Sequence, residues 1–119
     1  MGVDTAPSQR TVQGRWSSHV HEAGSGSDET VLFLHGSGPG AGALSNWRFA
    51  LPASAVTRRS VALDFVGFGR SEHPEDPPGD AHEWMDAWTE QVLEVMDELE
   101  IERAHLVGCL LYTSDAADE

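Results

Sequence analysis

The sequence predicts an α/β fold in which helices cover a mostly parallel sheet. Residues 30–34 form a continuous apolar run, and residues 60–65 are also rich in apolar residues. Runs without polar alternation are typical of strands that are buried on both faces. A helical pattern separates the second run from a third short strand at residues 103–108. Strands that alternate with helices pair in parallel through right-handed crossovers, which is the α/β arrangement.

Composition limits the function classes. The 119 residues carry 20 acidic and 7 basic side chains, and a net charge of −13 disfavours binding to nucleic acid or to an anionic membrane. One cysteine cannot form an internal disulfide, and no apolar run approaches the ~18 residues that span a bilayer. The first ten residues lack the basic and apolar segments of a secretory signal, so a cytoplasmic location is predicted.

The amino-terminal part predicts two antiparallel strands. Residues 1–11 are small and polar and are predicted to be disordered, so the domain is expected to span residues 12–108. The two strands are predicted at residues 12–16 and 18–23, where His19 and His21 would share one face. A histidine pair at this spacing can hold a metal, but no third ligand is near in the sequence, so an exposed polar face is favoured.

Two helices are predicted. Ser45 can cap a helix over residues 46–51, which Pro52 would disturb. A longer helix is expected to begin at Asp80, because Glu83 three residues later completes a capping-box pattern. The acidic face of this helix is interpreted as solvated surface. Its apolar residues recur at helical spacing and are Trp84, Trp88, Val92, Val95 and Leu99.

A glycine-rich loop, HGSGPGAG, follows the strand at residues 30–34 and has two chemical interpretations. The first is a dinucleotide site, because Gly36, Gly38 and Ala41 fit the pattern G-x-G-x-x-G/A. Asp64 ends the next strand, where a ribose-binding acid would lie. Pro39 and the additional glycines depart from that pattern.

The second interpretation is an oxyanion hole, in which backbone N–H groups after His35 stabilise the negative oxygen that forms when a carbonyl is attacked. Such a loop needs a nucleophile opposite, which doubly wound hydrolases present on a G-x-S-x-G turn after a later strand. Gly108 would be the first glycine of that turn, but Leu110 stands at the position of the serine.

Three segments resemble the α/β-hydrolase superfamily, in the order LFLHGSGPGAGALSNWRFALPA, DFVGFGRSEHP and ERAHLVG. More narrowly, HGSGPGA followed by SNWR and LP resembles the meta-cleavage-product hydrolases that act on dienoates of the 2-hydroxymuconic-semialdehyde type. The resemblance covers residues 30–108 and implies the amino-terminal part of a doubly wound, mostly parallel sheet, ending before the nucleophile elbow.

The resemblance implies hydrolytic cleavage of a carbon–carbon bond in a ring-opened aromatic 2-hydroxy-6-oxo-dienoate by a Ser-His-Asp triad. The backbone N–H of Ser37 would be an oxyanion donor, Gly36 and Gly38 would shape the loop, and Asn46 would bind the substrate. The resemblance implies no metal or organic cofactor. It implies a small-molecule substrate as the binding partner. Whether the parent enzyme is a homo-oligomer is left open.

The same resemblance gives Asp64 and Arg70 a bracing role in the turn after the second buried strand. Related parent activities stay open, namely those of an esterase, an epoxide hydrolase or a dehalogenase. A Rossmann-like dinucleotide-binding domain is the alternative of a different class.

The last eleven residues, CLLYTSDAADE, do not continue the family pattern. They resemble the translation of a transposase-type sequencing adapter, so residues 109–119 are interpreted as a non-native tail. A native terminus with Cys109 as a displaced nucleophile is disfavoured, because no base accompanies it.

Without nucleophile, acid and base, the chain is predicted to be inactive. The apolar strand edge that remains predicts marginal stability or aggregation.

Overall fold

The computed structural model describes residues 7–24, 29–36 and 40–108. In this part of the chain, five strands form one mixed sheet in the order β1-β2-β4-β3-β5. The strands are β1 (Ser8–Gln13), β2 (Ser17–Ala23), β3 (Thr30–Leu34), β4 (Arg59–Leu63) and β5 (His105–Gly108). The helices are α1 (Ala43–Trp47), α2 (Ala50–Ala55) and α3 (Ala81–Glu98). The predicted α/β fold is confirmed.

The parallel part of the sheet consists of β4, β3 and β5. In the register of these strands, Leu34 lies opposite both Leu63 and Gly108. The carboxyl ends of all three strands therefore meet at one edge of the sheet. In open α/β sheets this is the edge at which ligands bind. The other two strands, β1 and β2, are joined to β4 in antiparallel fashion.

Helices cover both faces of the sheet, as the apolar runs predict. On one face, Leu32 and Val61 are fully buried in a cluster with Trp88 of α3. On the other face, Phe33 packs in a second cluster, which Leu51 of α2 completes. Because successive residues of a strand point to opposite faces, each of these strands contributes to both clusters.

The amino-terminal boundary differs from the prediction. Strand β1 begins at Ser8, so residues 8–11 belong to the sheet rather than to a disordered terminus. These residues pair with β2, where Ser8 lies opposite Glu22, and Arg10 Nε donates to Glu22 Oε2 at 2.7 Å. Pairing with β2 satisfies the backbone hydrogen-bonding groups of this polar segment, although its side chains are exposed. The composition of the segment does not reveal this pairing. Residues 1–6 and 109–119 lie outside the described residues.

The predicted single helix over residues 46–51 is instead the pair α1 and α2. Ser45 is not its cap: the cap position of α1 is Gly42, and the Ser45 hydroxyl lies 3.1 Å from the carbonyl oxygens of Gly40 and Gly42. Pro52 does not disturb α2, because it lies in the first turn, where a backbone N–H has no helical partner to lose.

Helix α3 begins as predicted. Asp80 is its N-cap, and Oδ1 of Asp80 accepts the backbone N–H of Glu83 at 2.9 Å. The Glu83 carboxylate returns to the N–H of Gly79 at 2.5 Å, one residue before the position that a capping box uses. Trp88, Val95 and Leu99 of the predicted apolar face are buried, and Trp84 and Val92 are partly buried.

We expect Asp80→Ala to lower the free energy of unfolding by about 1 kcal/mol, because the Glu83 N–H loses its acceptor at the helix terminus. Urea denaturation followed by circular dichroism measures the change. The matched control is Asp86→Ala, at an exposed position of the same helix. Equal losses in both variants would show that the cap has no special role.

Strand β5 lies at the end of the described sheet and is shorter at its start than predicted. Leu106 is 60% exposed and lines an apolar groove of about 380 Å³ between β5 and α3, together with Leu93. Such an apolar edge is the feature on which the prediction of marginal stability or aggregation rests.

Among the described residues, no helix has the length and apolar character required to cross a bilayer.

Candidate active site

The candidate site lies where the chain leaves the carboxyl ends of the parallel strands. His35 and Gly36 follow β3 directly, and Asp64 follows β4. Because Leu34 pairs with Gly108, the segment that begins the glycine-rich loop emerges beside the end of β5. The oxyanion interpretation requires the loop and this strand exit side by side, and the described start of the loop, His35 and Gly36, follows the strand next to β5.

His35 fixes the start of the loop. Its ring is fully buried, and Nε2 accepts the backbone N–H of Phe65 at 2.9 Å. This bond assigns the ring proton to Nδ1, which donates to the carbonyl oxygen of Gly36 at 2.5 Å. Phe65 and Phe68 contact the imidazole edge-on. Nε2 thus joins the end of β3 to the segment after β4, while Nδ1 bonds the neighbouring residue of the glycine-rich loop.

Asn46 reaches back to the same loop from α1. Its Oδ1 accepts the backbone N–H of Gly36 at 3.4 Å, and the residue is exposed. The structure therefore brings together two of the predicted site residues, Gly36 and Asn46. The other two, Ser37 and Gly38, lie outside the described residues, so the oxyanion donor at Ser37 stays a prediction.

Asp64 links the loops that follow β3 and β4. It is 4% exposed; Oδ1 accepts the Ala43 N–H at 2.7 Å, and Oδ2 accepts the Arg70 N–H at 3.1 Å. A side chain at Gly69, which has φ +54°, would overlap the Asp64 carboxylate. These contacts agree with the bracing role implied for Asp64. The Arg70 contribution is its backbone N–H.

Comparison with known proteins identifies the family. Residues 29–109 match proteins of the alpha/beta hydrolase fold. The chain belongs to this family. The 2-hydroxymuconate semialdehyde hydrolase of Pseudomonas sp. (strain CF600) is 43% identical over 91 residues, which cover 76% of this chain and 30% of that protein.

Two solved structures are similar to this chain. A serine hydrolase of the polyaromatic-hydrocarbon-degrading bacterium Cycloclasticus zankles has a TM-score of 0.82 and 40% identity, covering 87% of this chain and 36% of its own. The 2-hydroxy-6-oxo-6-phenylhexa-2,4-dienoate hydrolase of Rhodococcus sp. strain RHA1 has a TM-score of 0.78 and 40% identity, covering 87% of this chain and 38% of its own. The chain thus spans between 30% and 38% of the length of these three relatives.

Gln91 lies beside the candidate site and was missed by the sequence analysis. It is fully buried on α3; its Oε1 accepts the Val66 N–H at 2.9 Å, and its Nε2 lies 3.0 Å from the Asp64 carbonyl oxygen and 2.9 Å from Ser18 Oγ. Its position three residues after Trp88 places it on the apolar face. A polar residue at such a position is the signal that could have identified it.

The chain is expected to lose stability as the pH falls below 6.5, the ordinary pKa of histidine. Burial lowers the pKa of His35, although the Gly36 carbonyl and Asp64 oppose the shift. Burial also lowers the pKa of His21, with His19 and Arg70 acting in the same direction and Asp64 opposing. The unfolded chain therefore binds more protons than the folded one below 6.5, so acid favours unfolding.

Thermal unfolding between pH 8 and pH 5 measures this effect. We expect the midpoint to fall most between pH 6.5 and pH 5, and His35→Gln to flatten the profile. His82→Gln, at an exposed position of α3, should keep the profile of the parent chain. A parent profile that is flat across pH 6.5 would contradict the prediction.

Proposed function

We propose that the complete enzyme containing this segment cleaves a carbon–carbon bond in a ring-opened aromatic 2-hydroxy-6-oxo-dienoate, using a serine activated by histidine and aspartate. The observation that carries the proposal is the pairing of Leu34 with Gly108, which brings the start of the glycine-rich loop beside the exit of β5. In hydrolases of this fold, the nucleophile stands on the turn after a later strand and faces backbone donors of such a loop.

The loop residues have distinct roles in this proposal. The Ser37 N–H donates to the developing oxyanion, while Gly36 and Gly38 allow the backbone to approach it closely. Asn46 hydrogen-bonds the enol or carboxylate end of the substrate. The contact between the Gly36 N–H and Asn46 Oδ1 supports this assignment, because it holds an exposed amide side chain next to the loop.

The chemistry is a hydrolysis. The serine attacks the 6-oxo carbonyl carbon of the ketonised substrate, or activates water for that attack, and the oxygen on this carbon becomes an oxyanion. When the carbon–carbon bond breaks, its electron pair passes to the dienoate carbon, which takes up a proton. The products are a hydroxypentadienoate and a carboxylic acid, and one water molecule is consumed. Each oxyanion donor contributes about 2.7–4 kcal/mol to such a step.

The test measures turnover of 2-hydroxymuconic semialdehyde by the complete enzyme. The rate is the decrease in the absorbance of this substrate with time. Ser37→Pro removes the backbone donor and is expected to lower kcat by about 10²–10³-fold, whereas Ser37→Ala keeps the N–H and should retain near-parental kcat. Asn46→Ala should lower kcat/KM. Turnover of an ester or an epoxide with none of the dienoate would refute the carbon–carbon hydrolase assignment.

The 119-residue chain by itself is proposed to have no turnover. Leu110 occupies the position at which the resemblance places the nucleophile, and a leucine side chain has no group that can attack a carbonyl. The family resemblance places the aspartate and the histidine of the triad after a helical cap, later than residue 119. Dienoate turnover by the purified chain above the rate in buffer would contradict this proposal.

A further inference from the structure

Tertiary structure brings a carboxylate to the histidine pair of β2. His19 and His21 share one face of that strand, and β2 pairs with β4 so that Val20 lies opposite Leu63, the residue before Asp64. One potential ligand atom from each of His19, His21 and Asp64 lies within 4.8 Å of the others. The third potential ligand, which the spacing of the two histidines does not reveal, thus comes from the end of another strand, β4.

His21 carries the clearest sign that a ligand belongs here. The residue is 3% exposed, and its Nδ1 atom has no hydrogen-bond partner among the described residues. Buried polar atoms are nearly always paired, so an imidazole nitrogen left alone in a buried position calls for a specific explanation. A bound cation would supply the missing partner.

His19 is held in a form suited to coordination. Its Nε2 lies 2.9 Å from Gln9 Oε1, an oxygen that can only accept a hydrogen bond. The ring proton therefore resides on Nε2, and Nδ1 keeps a free lone pair. Metal-binding histidines commonly donate their second ring N–H to an oxygen in this way, which fixes the ring orientation.

Asp64 has coordination capacity left. Each of its carboxylate oxygens accepts one backbone N–H and has a second lone pair. The three side chains line a cavity of about 260 Å³ that Gln9 and Arg70 also border, and this volume leaves room for water ligands. The positive charge of Arg70 opposes cation binding, which makes that residue a useful probe.

We propose that His19, His21 and Asp64 bind a divalent first-row transition cation of the Zn²⁺ type, joining β2 to the turn that follows β4. Two imidazoles and one carboxylate, completed by water, form a common donor set for Zn²⁺ and its neighbours. Zinc–nitrogen bonds are ~2.0–2.1 Å long, so the donors of a tetrahedral site lie about 3.4 Å apart. Donor atoms that lie within 4.8 Å of one another must therefore approach by up to about 1.4 Å on binding.

The test is a Zn²⁺ titration of the 119-residue chain by calorimetry, with imidazole nitrogens observed by NMR. Every variant also carries Cys109→Ser, which removes the thiol as a competing ligand. We expect one saturable site, perturbation of the His19 and His21 rings but not of His82, and a rise in Tm of about 5 °C at saturating Zn²⁺.

Substitutions then separate this site from adventitious uptake. His19→Gln should weaken Zn²⁺ binding at least about tenfold, consistent with loss of a ligand; because His19 is only partly buried, the fold should tolerate it. His82→Gln should bind like the parent, and Arg70→Gln should bind more tightly. Absence of saturable binding, or unchanged affinity in His19→Gln, overturns the proposal.

Discussion

Replacing Gln91 with leucine is expected to lower the free energy of unfolding by about 3 kcal/mol, because three buried groups lose a partner at once. The side-chain amide bonds the Val66 N–H and the Asp64 carbonyl oxygen in the segment that follows β4, and Ser18 Oγ in β2. Leucine has a similar volume and fills the space without restoring any of these bonds.

Urea denaturation monitored by tryptophan fluorescence measures the loss. The matched control is Gln13→Leu, which makes the same chemical change at an exposed position at the end of β1 and should change stability by less than about 0.5 kcal/mol. A Gln91→Leu chain that is as stable as this control would mean that the buried network contributes nothing net.

Replacing His35 with leucine is expected to cost about 2–3 kcal/mol of stability and to alter the pH profile. The variant leaves the Gly36 carbonyl oxygen and the Phe65 N–H without their partner in a buried region. It also removes one of the two histidines with a pKa that is lowered by burial. Acid should therefore destabilise the variant less steeply than the parent.

Unfolding midpoints of His35→Leu at pH 8 and pH 5.5 test both effects. His82→Leu introduces the same residue at an exposed position and should affect neither. A stability loss at pH 8 without any change in pH dependence would show that His35 stabilises the fold through packing alone. In the complete enzyme, we expect the same variant to reduce kcat, because the loop that carries the proposed oxyanion donor begins at His35.

Sequence patterns predicted the structure correctly where the deciding interaction is local. The run at residues 30–34 predicted β3 with its observed bounds, since a strand that is buried on both faces cannot contain polar alternation. Asp80 predicted the start of α3, because its side chain bonds a backbone group only three residues away. The family resemblance also rested on contiguous motifs, and the match over residues 29–109 confirms it.

Local patterns failed where distant segments decide the outcome. Residues 8–11 are polar and suggested disorder, but pairing with β2 places them in the sheet. Ser45 has the right chemistry for a helix cap, yet the loop conformation turns its hydroxyl toward two preceding carbonyl groups. Gln91 stands as a polar residue on an apolar helix face, but its partners could not be predicted, because all three come from other parts of the chain.

The sequence by itself determined the fold class, the main buried strands, the start of α3 and the family, because each depends on burial periodicity or on contiguous motifs. Only the tertiary structure decided that Leu34 lies beside Gly108 and that Asp64 approaches the histidine pair of β2. Such contacts depend on strand order and register. These are fixed by packing between residues far apart in the chain, and a linear pattern does not encode them in any one place.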